Sequence, residues 1–284
     1  MLREANSELE AIYNYYLDMK EDPFSGALFK EPEILPDGHY VRIPLNNNMQ
    51  NSGSRITYYL IDYYRKNGFP KVLDDNSFRN LQLDNYDNRK PSVIYRGELK
   101  NEYARNLLTD VNYHYGYGTY GDGIYATDSF EMAMTYASAR ENGGEFLELT
   151  LSPNAKRIKY DNLVSLGAYL NYQILSHKGY PNFRLRKIKK QYERFPNIPD
   201  EVKEKINRLA FFLLKVDDEE FKNAFIPGIN SPNALAVYLG YDVIDNPLDN
   251  VRTDYIILNR GAICISKSGY DRVMGESTES NEKE

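Results

Sequence analysis

GYGTYGDGIYATDSFEMAMTYA runs from Gly116 to Ala137 and divides into three parts. Gly116, Gly118, Gly121 and Gly123 alternate with Tyr117, Thr119, Tyr120 and Asp122. Glycines so placed permit close approach of the backbone to a ligand. Ile124-Tyr125-Ala126-Thr127 follows, short and strand-like. Asp128 then opens a helix as its cap, with Glu131 completing a capping box. Met132, Tyr136 and Ala139 keep one helical face. Tyr125 and Tyr136 supply a flat aromatic surface each, one on the strand and one on the helix. Loop, strand and helix in this order suit a nucleotide-sized ligand held against a strand. The plainer alternative is a hairpin whose tyrosines are only core. The spacing is neither GxGxxG after a strand nor GxxxxGK[ST], so neither the Rossmann nor the P-loop mechanism applies.

Outward from this stretch, the chain has 284 residues, enough for one large domain or two small ones. It is 42% hydrophobic and 27% charged, a globular balance. Tyrosine is abundant at 26 and tryptophan absent, which favours stacking surfaces with polar tips. A net charge of −6 argues against polyanion binding by the whole surface. The single cysteine, Cys264, excludes an internal disulfide and a zinc cluster. It lies in the apolar run Ala262-Ile263-Cys264-Ile265 and reads as a buried thiol. The three histidines, His39, His114 and His177, show no metal-ligand spacing. No apolar run reaches the roughly 20 residues of a membrane span, and the N-terminus is charged rather than signal-like. A soluble protein of the cytosol, that of a host or target cell, is the expectation.

Residues 2–19 and 54–66 read as helices, separated by Pro/Gly/Asn-rich loops with a short strand near 40–43. Val93-Ile94-Tyr95 is a short β-run that ends in Arg96-Gly97, unusual for a buried strand. Residues 100–110 read as a helix and 146–151 as an alternating strand. Helical patterns recur at 162–177 and 200–215. Between them lies a basic block, densest at RLRKIKK (184–190). Residues 178–208 hold ten Lys/Arg and four Asp/Glu, a local +6 that leaves −12 for the rest. It reads as a solvated helix face or linker, or as a contact for an acidic or nucleic-acid partner with Tyr180, Phe183 and Tyr192 interleaved. Residues 231–239 read as a helix with Ser231 as cap and Pro232 at its first position. Strands follow at 241–244, 254–258 and 262–266, and residues 271–284 read as an acidic, disordered tail.

Four features now stand in order: Tyr95-Arg96-Gly97, Gly123-Ile124-Tyr125, the helix bearing Tyr136, and Asp254 opening DYIIL. This order resembles the ADP-ribosyltransferase superfamily over roughly residues 92–266, interrupted by an insert at 155–230. One branch of that family carries His-Gly, Gly-Ile-Tyr and a late Glu; the other carries Arg, Ser-Thr-Ser and Glu. The chain looks like a mixture, with the arginine of the second and the GIYAT of the first. Its YRG, GDGIY and YIILNR together are similar to domains of some phage head proteins and bacterial toxins.

The resemblance implies an α+β fold in which split antiparallel sheets form an NAD⁺ cleft. It implies an N-terminal helical region over 1–90, a catalytic domain over 91–270 with the helical insert, and a tail from 271. The implied activity is mono-ADP-ribosyl transfer from NAD⁺ to a protein or nucleic acid, as in a toxin, effector or phage enzyme. The alternatives are a non-catalytic module of a phage particle and an NAD⁺ glycohydrolase. Asp254 takes the place of the catalytic acid, one methylene shorter than the family's Glu, and a carboxylate there would stabilise charge on the ribose. Its plainer alternative is a strand-start or surface carboxylate, and Asp242, Asp245 and Asp249 are rivals. Arg96 would hold the pyrophosphate or ribose with its forked donors, or else pair with Glu98. Tyr95 belongs to the same motif. Gly97 would put bare backbone against the nicotinamide amide, beside Gly123 of the second strand. Tyr125 and Tyr136 would sandwich the ring, or else serve as core. Thr127 and Ser129 would bond the ribose or brace the acid. NAD⁺ is the implied co-substrate, and no metal is expected.

Overall fold

The computed structural model describes residues 13, 33–34, 40–41, 68–84, 93–110, 113, 116–118, 121–138, 144–195, 198–219, 222, 229, 232–248 and 252–275. The expected helix at 54–66 and the Ser231 cap lie outside them, as does the helix at 2–19 apart from Tyr13, which is helical. The fold is mixed α/β around an open sheet. The chain separates into two compact units, with Ile158–Tyr241 in one and Lys66–Arg157 with Asp242 onward in the other. The helical insert thus falls outside the sheet unit, in the unit that also takes in Met1–Pro32 and Arg42–Arg65.

In chain order the strands are β1 (Glu33–Ile34), β2 (Tyr40–Val41), β3 (Lys71–Leu73), β4 (Ile94–Glu98), β5 (Gly116–Gly118) and β6 (Gly121–Thr127). They continue with β7 (Glu145–Leu151), β8 (Arg157–Lys159), β9 (Val243–Pro247), β10 (Thr253–Ile257) and β11 (Ile263–Ser266). In the sheet unit the hydrogen-bonded order is β3-β11-β7-β4-β6-β10-β9, with β5 paired to β6 as a hairpin. Every described pairing along it is antiparallel except β3 with β11. The two expected sheets are therefore joined. The join is slender: β4 and β6 share one paired position, Tyr95 with Thr127.

Strand alternation sorts the side chains onto two faces. One face carries Ile94, Ile124, Ala126, Leu147, Leu149, Ile257 and Ile265, all in the central apolar cluster. Helix α2 (Asn101–Thr109) adds Ala104, Leu107 and Leu108, spaced to bury one stripe, and Val273 of α8 (Lys267–Met274) completes the cluster. Helix α8 is capped by the Ser266 hydroxyl, which accepts from the Gly269 amide, and ends at Gly275 with φ of 73°. Residues 271–275, expected in the tail, therefore belong to this helix and its cap, and the rest of the expected tail lies outside the described residues. Helices α1 (Asp75–Asp84) and α3 (Phe130–Ala137) complete the unit.

Arg260 is the unexpected member of this core. It follows β10 in a short 3-10 turn and is 1% exposed. Its guanidinium donates to the carbonyls of Asp110, Leu107 and Asn106 at 2.8, 3.3 and 3.4 Å, and to that of Gly68 at 3.3 Å. Among them is the Leu107 carbonyl in the last turn of α2, while Asn106 also accepts from the Asp110 amide and Asp110 from the Tyr113 amide. Phe69 and Tyr113 sandwich the cation at 4.9 and 5.5 Å.

The helical unit holds α4 (Tyr160–His177), α5 (Asn182–Tyr192), α6 (Asp200–Lys215) and α7 (Pro232–Tyr238). In α4 Leu163, Leu166, Leu170 and Ile174 are buried; in α6 Val202, Ile206, Leu209 and Leu213 are. Both sets keep the spacing of one buried helical stripe. The densest part of the basic block is α5. Gly240, at φ of 85°, ends α7.

Candidate functional site

The register places five residues in one row across the sheet. Glu148 pairs with Tyr95, Tyr95 with Thr127, Thr127 with Asp254, and Asp254 with Asn246. Paired residues point to the same face. This is the face opposite the apolar cluster, and Tyr125 lies on it two residues before Thr127. Four of the residues singled out by sequence, Tyr95, Tyr125, Thr127 and Asp254, are thus brought to one surface.

Several bonds fix the Asp254 end. The Asp128 carboxylate accepts from the Thr253 amide at 2.9 Å, and the Asp128 amide donates to the Thr253 carbonyl at 3.2 Å. The Thr127 hydroxyl donates to that carbonyl at 3.4 Å and accepts from the Ser129 amide at 3.2 Å. Asp254 itself lies 3.5 Å from the Arg252 guanidinium and is 22% exposed at its side chain. Asp128 is therefore not the helix cap. Ser129 caps α3 instead, accepting from the Met132 amide, while its hydroxyl donates to Glu131. The cap moves by one residue because the Asp128 carboxylate is engaged by β10.

Beside Asp254, Asn246 is 6% exposed, and its side-chain nitrogen has no hydrogen-bond partner. A buried N–H donor left unmatched costs about 1 to 3 kcal/mol, so an oxygen acceptor brought there would be favoured. At the other end, Gln82 donates to Glu148 at 2.9 Å. Glu148 and Asp254 are three strand spacings apart, roughly 14 Å. Two carboxylates acting on one glycosidic bond sit within about 10 Å. Within this row Glu148 therefore stands too far from Asp254 for the two to act on one such bond.

Tyr95 is held by aromatic neighbours, stacked on Phe146 at 5.4 Å and edge-on to Phe130 at 5.7 Å. Burial, with Glu148 and Glu131 adding to it, raises its phenol above the ordinary tyrosine range and keeps the proton on. On the other face, burial and the Asp128 charge push the Tyr255 phenol up to about 12. The Arg157 guanidinium stands 5.6 Å over that ring.

Arg96 does not join the row. It lies on the opposite face, toward the apolar cluster, where it donates to Glu98 at 2.5 Å and to Tyr113 at 3.5 Å. Its Nη1 donates to the Tyr125 carbonyl at 2.6 Å. That bond spans the gap where the β4–β6 ladder has run out. Burial opposes its charge, but Tyr113 and Glu98 outweigh burial and raise its pKa. The expected role as a dinucleotide ligand beside Tyr125 does not match this placement; the salt bridge with Glu98 does occur.

Gly97 and Gly123 also face protein. A Cβ on Gly97 would fall 1.9 Å from the Ala133 carbonyl oxygen and 2.8 Å from the Ala137 nitrogen of α3. On Gly123 it would fall 2.3 Å from the Ile256 side chain. Both glycines are explained by close packing, and the expected approach of Gly97 to a nicotinamide gives way to α3. Gly97→Ala is expected to lose about 2 to 3 kcal/mol by overpacking. Urea unfolding would show it, and an unchanged midpoint would refute the packing argument. Tyr136 is 62% exposed on α3.

The rival acids are committed elsewhere. Asp242 accepts from the Lys156 amide and the Asn259 side chain, both at 2.8 Å. Asp245 pairs with Arg157 at 3.1 Å. Asp249 lies outside the described residues. Cys264 is buried, and burial raises its thiol. Among the described residues, no cluster of His, Cys, Asp and Glu could hold a metal ion. No described helix is long and apolar enough to cross a membrane. Comparisons with protein-family models, curated proteins and solved structures each find no match.

Sequence reasoning missed Glu148 and Asn246, which only the strand register puts beside the expected residues, and it gave Asp128 a capping role in place of its bonds to Thr253.

Proposed function

We propose that the chain is a mono-ADP-ribosyltransferase of the split-sheet type, using NAD⁺ as co-substrate and a macromolecule as acceptor. The observation that carries this reading is the row Tyr95–Thr127–Asp254, set where the two halves of the sheet share one paired position. Asp254 is the catalytic acid. Tyr95, Thr127 and Tyr125 line the approach to it, and the unmatched Asn246 donor suits a hydroxyl or amide oxygen of the dinucleotide. Arg96 is a positioning residue that ties β4 to β6.

In the reaction the bond from ribose C1′ to the nicotinamide nitrogen breaks, and its electron pair goes to that nitrogen. Positive charge develops on the ribose, where the Asp254 carboxylate stabilises it. The acceptor nucleophile then bonds to C1′ and releases its proton to solvent or to Asp254.

The test is incubation with labelled NAD⁺ and cell lysate, followed by protease or nuclease treatment of the labelled product. Transfer of label to a macromolecule is expected. If no lysate, nucleic acid or small acceptor is labelled, a non-catalytic module becomes the better reading. Binding provides a separate measure. Tyr125→Ala and Tyr136→Ala are each expected to weaken NAD⁺ by about tenfold through lost stacking. Unchanged affinity in both, by calorimetric titration, would move the site off this face.

A further inference from the structure

The basic block takes a definite form that the proposed chemistry does not use. Helix α5 contains Arg184, Arg186, Lys187, Lys189 and Lys190 and no acidic residue. Its inner side is fixed. Leu185 is buried, and Tyr192 sits edge-on to Tyr169 and Tyr172 of α4, at 5.2 Å from each.

The outer side follows from helical spacing. Phe183, Lys187 and Lys190 recur at steps of four and three, so they form one stripe, with Arg186 at its margin and Arg194 in the turn just past the helix end. Lys187 and Lys190 are about one turn apart, roughly 5 Å along the axis. Phe183 stands at the head of this stripe and is 72% exposed. Arg186, Lys187, Lys190 and Arg194 have no ion pair among the described residues, whereas Lys189 is 3.7 Å from Glu193. The Arg184 guanidinium lies 5.9 Å from the centres of both the Phe183 and Tyr180 rings, and Tyr180 is itself exposed.

We infer that this stripe of α5 binds single-stranded nucleic acid. Lys187 and Lys190 in line, flanked by Arg186 and Arg194 and all four without an ion pair among the described residues, match a phosphate backbone. An acidic protein segment would also answer the charge, but it would leave the bare Phe183 ring without a role. An unpaired base stacks on such a ring, and a base locked in a duplex does not. The net charge of −6 confines the attraction to this local surface. The inference does not rest on the transferase reading, because binding is measured without NAD⁺.

Fluorescence anisotropy of the full chain with a labelled oligouridylate or oligothymidylate of about 20 nucleotides tests it. A duplex of equal length and a polyglutamate peptide are the competitors. Single strands are expected to bind and to compete better than either. Log affinity should fall with log salt at a slope of roughly −3, for four contacts at about 0.7 each. Lys187→Glu with Lys190→Glu should flatten that slope. Phe183→Ala should weaken binding about tenfold with little change in slope. All three positions are exposed, so circular dichroism should show unchanged folding. Equal or better competition by polyglutamate would overturn the inference in favour of an acidic protein partner. Duplex preference, or indifference to both variants, would overturn it outright.

Discussion

Asp254→Asn is expected to reduce ADP-ribosyl transfer by about 100-fold or more, the usual effect of removing a preorganised group that stabilises transition-state charge. The substitution keeps shape, and the strand is held by its neighbours. The Asp128–Thr253 bonds and the pairing with Thr127 and Asn246 do not involve the Asp254 carboxylate. Folding and NAD⁺ affinity should therefore survive while turnover falls, so the loss appears in kcat rather than in binding. Asp254→Glu provides the second arm. It lengthens the acid by one methylene within the same row, and higher activity would mean that the shorter side chain falls short of the ribose. Wild-type turnover in Asp254→Asn would sink the assignment. With Asp242 and Asp245 engaged in structural bonds, Asp249 would then be the next residue to replace.

The parts of this site that were legible in the sequence are those that periodicity carries. FLELTL alternates as a strand should, GIYAT and DYIIL are short strand-like runs, and each forms a strand, at β7, β6 and β10. The helices at 100–110, 162–177 and 200–215 appear within a few residues of their expected bounds. Facing was harder. Arg96 and Gly97 are neighbours in a motif, so a strand must send them to opposite sides. Reading both into one ligand site ignored that rule. The two glycines show a related limit: sequence shows that a side chain is missing, not whether a ligand or a helix fills the space. For Gly97 the helix fills it. The Glu148–Asn246 row was out of reach for a further reason. It depends on which strands pair and in what register, and those pairings bring together residues 95, 127, 148, 246 and 254.

Arg260 illustrates the same limit in the core, and its replacement should have the largest effect on stability. In the sequence Asn259-Arg260-Gly261 reads only as the turn or bulge between DYIIL and AICIS. In the fold it is 1% exposed and serves the end of α2 and the Gly68 carbonyl together. Arg260→Met preserves much of the apolar stem but takes the guanidinium donor from the buried Leu107 and Gly68 carbonyls, while those of Asn106 and Asp110 keep the Asp110 and Tyr113 amides. Each such group costs about 1 to 3 kcal/mol, so a total of about 3 to 5 kcal/mol is expected after partial relaxation. For a chain of this size that is a fall in Tm of about 10 °C. Arg260→Lys keeps the charge but loses the planar fork, and one ammonium does not replace donors aimed at both Gly68 and Asp110. Its Tm should fall between those of the wild type and Arg260→Met. A melting curve for Arg260→Met within about 2 °C of the wild type would mean that water or a backbone shift satisfies the end of α2 without the guanidinium.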